Sequence, residues 1–207
     1  MAGQWCPGDM TNALMKVLDQ TFAHPSGKLG EFGGKLMAKM NAPIEEQVVA
    51  LAQPAANETV LVIGPGPGVG LFAAGSRAAH AIGVDPSETM LTEARQRCAA
   101  LIADGRVELR HGTANATGQP DQSVDLVISV NNVHFWEDRA AAFAELARVL
   151  RPGGRLVVSI TRWMLPVTDH ELVGEAESAG FSDVRASLQR YSGLTATALQ
   201  LTARVDA

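Results

Sequence analysis

The chain has 207 residues, 46% hydrophobic and 19% charged, which suits one soluble globular domain and excludes a disordered or fibrous protein. Lys and Arg number 17 against 22 Asp and Glu, a formal net charge of -5 with no long basic run, so a nucleic-acid partner is disfavoured. Two cysteines, Cys6 and Cys98, are too few for a metal cluster and fit a reducing cytoplasm; there is no secretory-signal pattern at Met1–Pro7 and no apolar run long enough to span a membrane.

The first 55 residues are helical in pattern, rich in methionine and free of strand signals, and read as an appendage to an α/β unit over residues 56–207 rather than as a second domain. Between Lys28 and Met40, the side chains of Leu29, Phe32, Leu36 and Met40 share one helical face and the lysines another. Such a helix packs on the sheet domain, or forms a mobile lid whose methionines line an apolar acceptor site, with Gly30, Gly33 and Gly34 weakening it.

From Thr59 onward, short apolar β-branched runs alternate with longer helical stretches, as in stacked βαβ units on a parallel sheet. Strands are predicted at Thr59–Ile63, His80–Val84, Val107–Arg110, Val124–Val130 and Arg155–Ile160, with helices at Gly68–Ala78, Ser87–Ala103 and Asp138–Leu150. The turn Arg151-Pro152-Gly153-Gly154 stops the last of these helices. A further helix at Asp169–Ala179 precedes two strand-like runs, Val184–Tyr191 and Thr197–Val205, whose alternation suits a half-exposed antiparallel edge pair. The expected fold is therefore a doubly wound α/β architecture with a mostly parallel seven-stranded sheet and an antiparallel C-terminal pair.

The strongest chemical signal is Val60-Leu61-Val62-Ile63-Gly64-Pro65-Gly66-Pro67-Gly68-Val69-Gly70, a glycine-rich turn between strand and helix. Glycines let the backbone approach a ligand with no Cβ in the way, the helix amides offer donors, and two prolines stiffen the loop. Such a loop alone also occurs in phosphate- and dinucleotide-binding proteins. Asp85, at the tip of the next strand in Gly83-Val84-Asp85-Pro86-Ser87, is placed to accept hydrogen bonds from both hydroxyls of a ribose; the competing role is that of a helix N-cap, which Ser87 fills equally well.

Four blocks in order now carry a resemblance: the glycine loop, the Gly-Val-Asp strand end followed by Met90-Leu91, the strand Ser123-Val124-Asp125-Leu126-Val127, and Leu150-Arg151-Pro152-Gly153-Gly154-Arg155-Leu156. Together they resemble the class I S-adenosylmethionine-dependent methyltransferases, specifically the small-molecule enzymes, over roughly Asn57–Ile160. The resemblance implies S-adenosylmethionine as cofactor, S-adenosylhomocysteine as product and a small-molecule methyl acceptor. It implies that Gly64, Pro65, Gly66 and Gly68 line the methionine and ribose portions, that Asp85 holds the ribose, and that Pro86 and Met90 lie against the adenine. Thr113 and Ala114 fall where the family often places an acidic residue for the adenine amino group, and Val62 stands where many relatives carry an acid that helps hold the cofactor's amino group. That amino group is then left to carbonyls near Gly64 and Asn131.

The run Ser129-Val130-Asn131-Asn132-Val133-His134-Phe135-Trp136 lies at the carboxyl edge, where open α/β sheets place ligands. Asn131 is a cofactor candidate; His134, Trp136 and, after the fifth strand, Trp163 are acceptor-side candidates. His134 has the pKa range of a general base for a hydroxyl acceptor, and equally the character of a packing histidine. The Asn-Pro-Pro-aromatic motif of enzymes that methylate adenine or glutamine is missing, and two cysteines argue against arsenic as acceptor. The competing readings are a nicotinamide-dependent oxidoreductase, which lacks a Tyr-x-x-x-Lys pair here because Tyr191 is the sole tyrosine, and a non-catalytic relative.

Overall fold

A computed structural model describes residues 42–191 and 197–206 of the chain. The Lys28–Met40 stretch, Cys6 and most of the 1–55 appendage lie outside the described residues; its last part is helix α1, residues 42–52. The remaining elements are β1 (Thr59–Ile63), α2 (Val69–Gly75), β2 (His80–Asp85), α3 (Glu88–Arg97), α4 (Ala99–Ala103), β3 (Val107–His111), β4 (Val124–Val130), α5 (Arg139–Val149), β5 (Leu150–Thr161), α6 (Asp169–Ser178), β6 (Ser182–Arg190) and β7 (Thr197–Arg204).

The strands form one seven-stranded sheet in the order β3-β2-β1-β4-β5-β7-β6. The pairs from β3 to β5 are all parallel, and β7 runs antiparallel to both β5 and β6. Alternate residues of each strand feed two cores, one per face. On one face Leu61, Ile63, Val127, Leu156 and Val158 pack against Phe143 and Leu146 of α5 and Leu172 of α6. On the other, Val60, Val62, Leu126, Ile128 and Val157 meet Ile44, Val48 and Val49 of α1, Leu71 and Ala74 of α2, and Leu101 of α4. The order reverses between β1 and β4, so the loops after β1, β2 and β4 converge at one carboxyl-edge crevice.

Three expectations change. The predicted Ser87–Ala103 helix is two helices, because Cys98 leaves helical geometry (φ -93, ψ 10) and seats its thiol 3.8 Å from the Gly68 carbonyl oxygen. The strand expected from Arg155 begins at Leu150, since the residues after α5 already pair with β4 through a register shift between Val124 and Leu126. The C-terminal strands form the expected antiparallel edge pair, but its exposure is uneven: β7 lies between β5 and β6, and Ala198 and Gln200 are buried along with Leu199 and Leu201. Within the pair the exposed strand is β6, and β3 forms the other edge of the sheet.

Polar clamps join α1 to the sheet. Arg155 pairs with Glu58 (2.6 Å) and donates to the carbonyl oxygens of Ala52 (2.9 Å) and Gln53 (3.0 Å), satisfying the end of α1 and holding the Glu58 carboxyl below its usual range. Asp125 accepts from the Thr59 amide (2.7 Å) and pairs with Arg151 (2.6 Å), so this conspicuous carboxylate ties strands together at the end of the sheet away from the crevice.

Candidate functional site

The glycine loop is held from several sides. The Gly64 amide donates to Val84 O (2.9 Å), the Gly68 amide to Pro65 O (2.8 Å), and Arg97 Nε to Pro67 O (2.8 Å). Gly64 and Gly66 have φ of +62° and +49°, left-handed backbone that side-chain-bearing residues rarely adopt. A Cβ on Gly64 would lie 1.9 Å from Asn132 Nδ2, whereas a Cβ on Gly66 would meet nothing within 4 Å. The loop is thus packed at its root and open at its tip.

Asp85 is buried and turned toward that tip. Its Oδ2 accepts the Gly66 amide (3.2 Å) and its Oδ1 the Ser87 amide (2.9 Å). A carboxylate offers about four acceptor positions, so roughly two remain for hydroxyl donors. Burial raises the Asp85 pKa, opposed by the Ser87 and Gly66 amides and by the His111 charge. Ser87 Oγ, and not Asp85, caps α3 by accepting from the Met90 amide (3.4 Å). Pro86 is exposed at the crevice rim and Met90 is buried behind it. Thr113 is exposed, and its backbone amide and carbonyl are paired with Ala116 (3.2 Å each), so they are engaged within the loop; Ala114 is buried beside it.

Beyond β4 the side chains serve the frame. Asn131, at φ +49°, turns its Oδ1 to the Thr161 amide (2.7 Å) and hydroxyl (3.1 Å), stitching the tips of β4 and β5. Asn132 Oδ1 accepts from Trp136 Nε1 at 2.7 Å. Trp136 is a core residue, 7% exposed and edge-on to Phe143 with ring centroids 5.5 Å apart, rather than an open wall of the crevice. His134 is half-buried with its ring 3.8 Å from that of Phe135. Trp163, on the turn after β5, is 70% exposed, while the adjacent Met164 and Leu165 pack against the core. Tyr191 is buried with its hydroxyl 3.0 Å from Ser159 Oγ, near the carboxyl end of β5.

Sequence reasoning missed Glu45. From α1 its Oε2 accepts the Gly70 amide at 2.6 Å, across 25 residues. Burial pushes its carboxyl up to about 7, opposed by the Gly70 hydrogen bond and the Arg97 charge and reinforced by Glu46. Nothing in the pattern of residues 42–52 signals this contact, because a long-range carboxylate–amide pair leaves no local periodicity.

Residues 61–158 match the family of methyltransferase domains. An arsenite methyltransferase of Halobacterium salinarum is 37% identical over 123 residues, covering 58% of this chain and 31% of that protein. An uncharacterized methyltransferase of Bacillus subtilis is 25% identical over 160 residues, covering 73% of this chain and 86% of that protein. The chain therefore spans about a third of the first relative's length and most of the second's. Among solved structures, a phosphoethanolamine N-methyltransferase of Haemonchus contortus, in complex with phosphomonomethylethanolamine and S-adenosylhomocysteine, superposes with a TM-score of 0.74 at 17% identity, covering 91% of this chain and 59% of that one, and shares the fold.

Proposed function

We propose that this chain, which belongs to the class I S-adenosylmethionine-dependent methyltransferases, binds S-adenosylmethionine in the carboxyl-edge crevice and methylates a small-molecule acceptor. The observation that carries the reading is the pairing of the open-tipped loop at Gly66 with a buried Asp85 carboxylate that keeps acceptor positions for a ribose diol. When bound, the cofactor supplies an activated methyl group on a sulfonium, a leaving group that needs little covalent help.

The protein's part is alignment. Asp85 receives the two ribose hydroxyls, Pro86 and Met90 offer apolar surface to the adenine, with Ala114 beside them, and the backbone of Gly64 and Gly66 closes on the chain between nucleoside and amino acid. Asn131 and Asn132 keep the loop after β4 in shape, acting through Thr161 and Trp136. His134 stands on the acceptor side as a candidate proton acceptor, and Trp163 provides an exposed aromatic surface for an apolar acceptor. Arsenic chemistry needs thiolates, and Cys98 is buried with its thiol pushed up to about 11, which disfavours the activity that the Halobacterium relative's name carries.

Calorimetric titration with S-adenosylmethionine, S-adenosylhomocysteine and NAD tests the reading. The two sulfur nucleosides bind and NAD does not; Asp85→Ala weakens both by roughly 1.5 to 3 kcal/mol, the scale of hydrogen bonds to a charged group. Binding of NAD alone, or an Asp85→Ala variant with unaltered affinity, refutes it.

A further inference from the structure

We propose that Glu45 supplies the carboxylate that receives the ammonium group at the amino-acid end of the cofactor, making α1 a specificity element of the site. This deepens the cofactor reading above and rests on it. Segment 64–70 is itself uncharged, and among the described residues two carboxylates accept its amides: Asp85 at Gly66 and Glu45 at Gly70. The ligand has matching ends, a diol and a zwitterionic amino acid. With Asp85 on the diol, the amino acid is assigned to the α1 side of the segment, where Glu45 lies.

Two side-chain candidates for the ammonium are removed by the structure. Val62 is apolar and packed among Ile44, Val48 and Val49, and the Asn131 side-chain oxygen is taken by Thr161. Among the described residues Glu45 accepts the Gly70 amide through Oε2, so acceptor positions on the carboxylate remain. Arg97 of α3 and Glu46 of α1 are the charged groups that act on it; Arg97, its guanidinium held by Pro67 O, favours the ionised form that a cation needs. Glu45 also lies outside residues 61–158, so the methyltransferase-domain match does not reach it.

The test compares S-adenosylhomocysteine with 5′-methylthioadenosine, which shares the nucleoside and sulfur but lacks the amino acid, by calorimetry on the full chain and on Glu45→Gln at pH 8. The variant keeps an acceptor for the Gly70 amide. Expected is a loss of about tenfold or more for S-adenosylhomocysteine with methylthioadenosine changed less than about twofold. Equal losses for both ligands would assign Glu45 a structural role only, and no loss for either would remove it from the site; both outcomes overturn the proposal. Should Glu45→Gln not fold, the wild type decides: the ratio of the two affinities rises in favour of S-adenosylhomocysteine as pH passes through about 7, and a flat ratio overturns the proposal. Asp85 acts on both ligands and cancels in that ratio. A wild-type chain that binds neither ligand points instead to failure of the underlying cofactor reading.

Discussion

Gly64 and Gly66 are alike in sequence and in backbone conformation, yet alanine at the two positions has different consequences. At either position an alanine must adopt left-handed backbone, which costs about 1–2 kcal/mol. At Gly64 the new Cβ also meets Asn132 Nδ2 at 1.9 Å and Cγ at 2.5 Å, so the Asn132 side chain has to leave. Its departure strands Trp136 Nε1, which donates to Asn132 Oδ1 at 2.7 Å within a buried ring. An orphaned buried donor adds about 1–3 kcal/mol, for a total near 2–5 kcal/mol at Gly64 against about 1–2 at Gly66. Urea unfolding of both variants measures the difference, and a cycle with Asn132→Ala isolates its cause, since Gly64→Ala in that background costs only the backbone strain. Cofactor titration shows the reverse order, with Gly66→Ala placing a methyl group in the open tip at a stability cost of only about 1–2 kcal/mol. Equal stability losses at the two glycines would refute the packed-root, open-tip description of the loop.

Two further outcomes follow from the site. The Glu45 carboxyl sits near 7 in the folded protein against 4.5 for the free group, so the folded state holds this proton more tightly than the unfolded state does. The stability it contributes is fully present below 4.5 and is lost as pH rises through 7, by up to roughly 3 kcal/mol; urea midpoints of wild type and Glu45→Gln at pH 5 and pH 8 measure the loss, and parallel pH profiles would contradict it. Trp163→Ala changes the unfolding free energy by no more than about 0.5 kcal/mol because the ring is 70% exposed, while turnover of an apolar acceptor falls through a raised KM; a large stability loss would place the ring in the core instead.

The parallel sheet, the helices on both of its faces and the position of the Asp85 carboxylate beside the glycine loop were legible in the residue order, because each leaves a local mark. Runs such as Val60–Ile63 and Val124–Val130 are apolar on successive residues only when both faces are covered, and Gly64-Pro65-Gly66-Pro67-Gly68 announces a tight turn wherever it sits. The Asp85 position at a strand end follows from the same βα alternation, and the carboxylate indeed faces the loop.

What the tertiary structure alone decided is the allocation of side chains among equal candidates. Asn131 and Asn132 are adjacent polar residues of one type, and only the neighbouring strand end and the indole of Trp136 assign them to bracing. Trp136 and Trp163 are the same residue in similar surroundings of sequence; one is buried by α5 and the other is left at the surface. Glu45 joins the loop through a contact 25 residues long that no periodicity encodes. Hydrophobic pattern and turn chemistry are local and survive in one dimension. Hydrogen-bond partnership between distant elements is a property of packing, and it exists only once the chain has closed on itself.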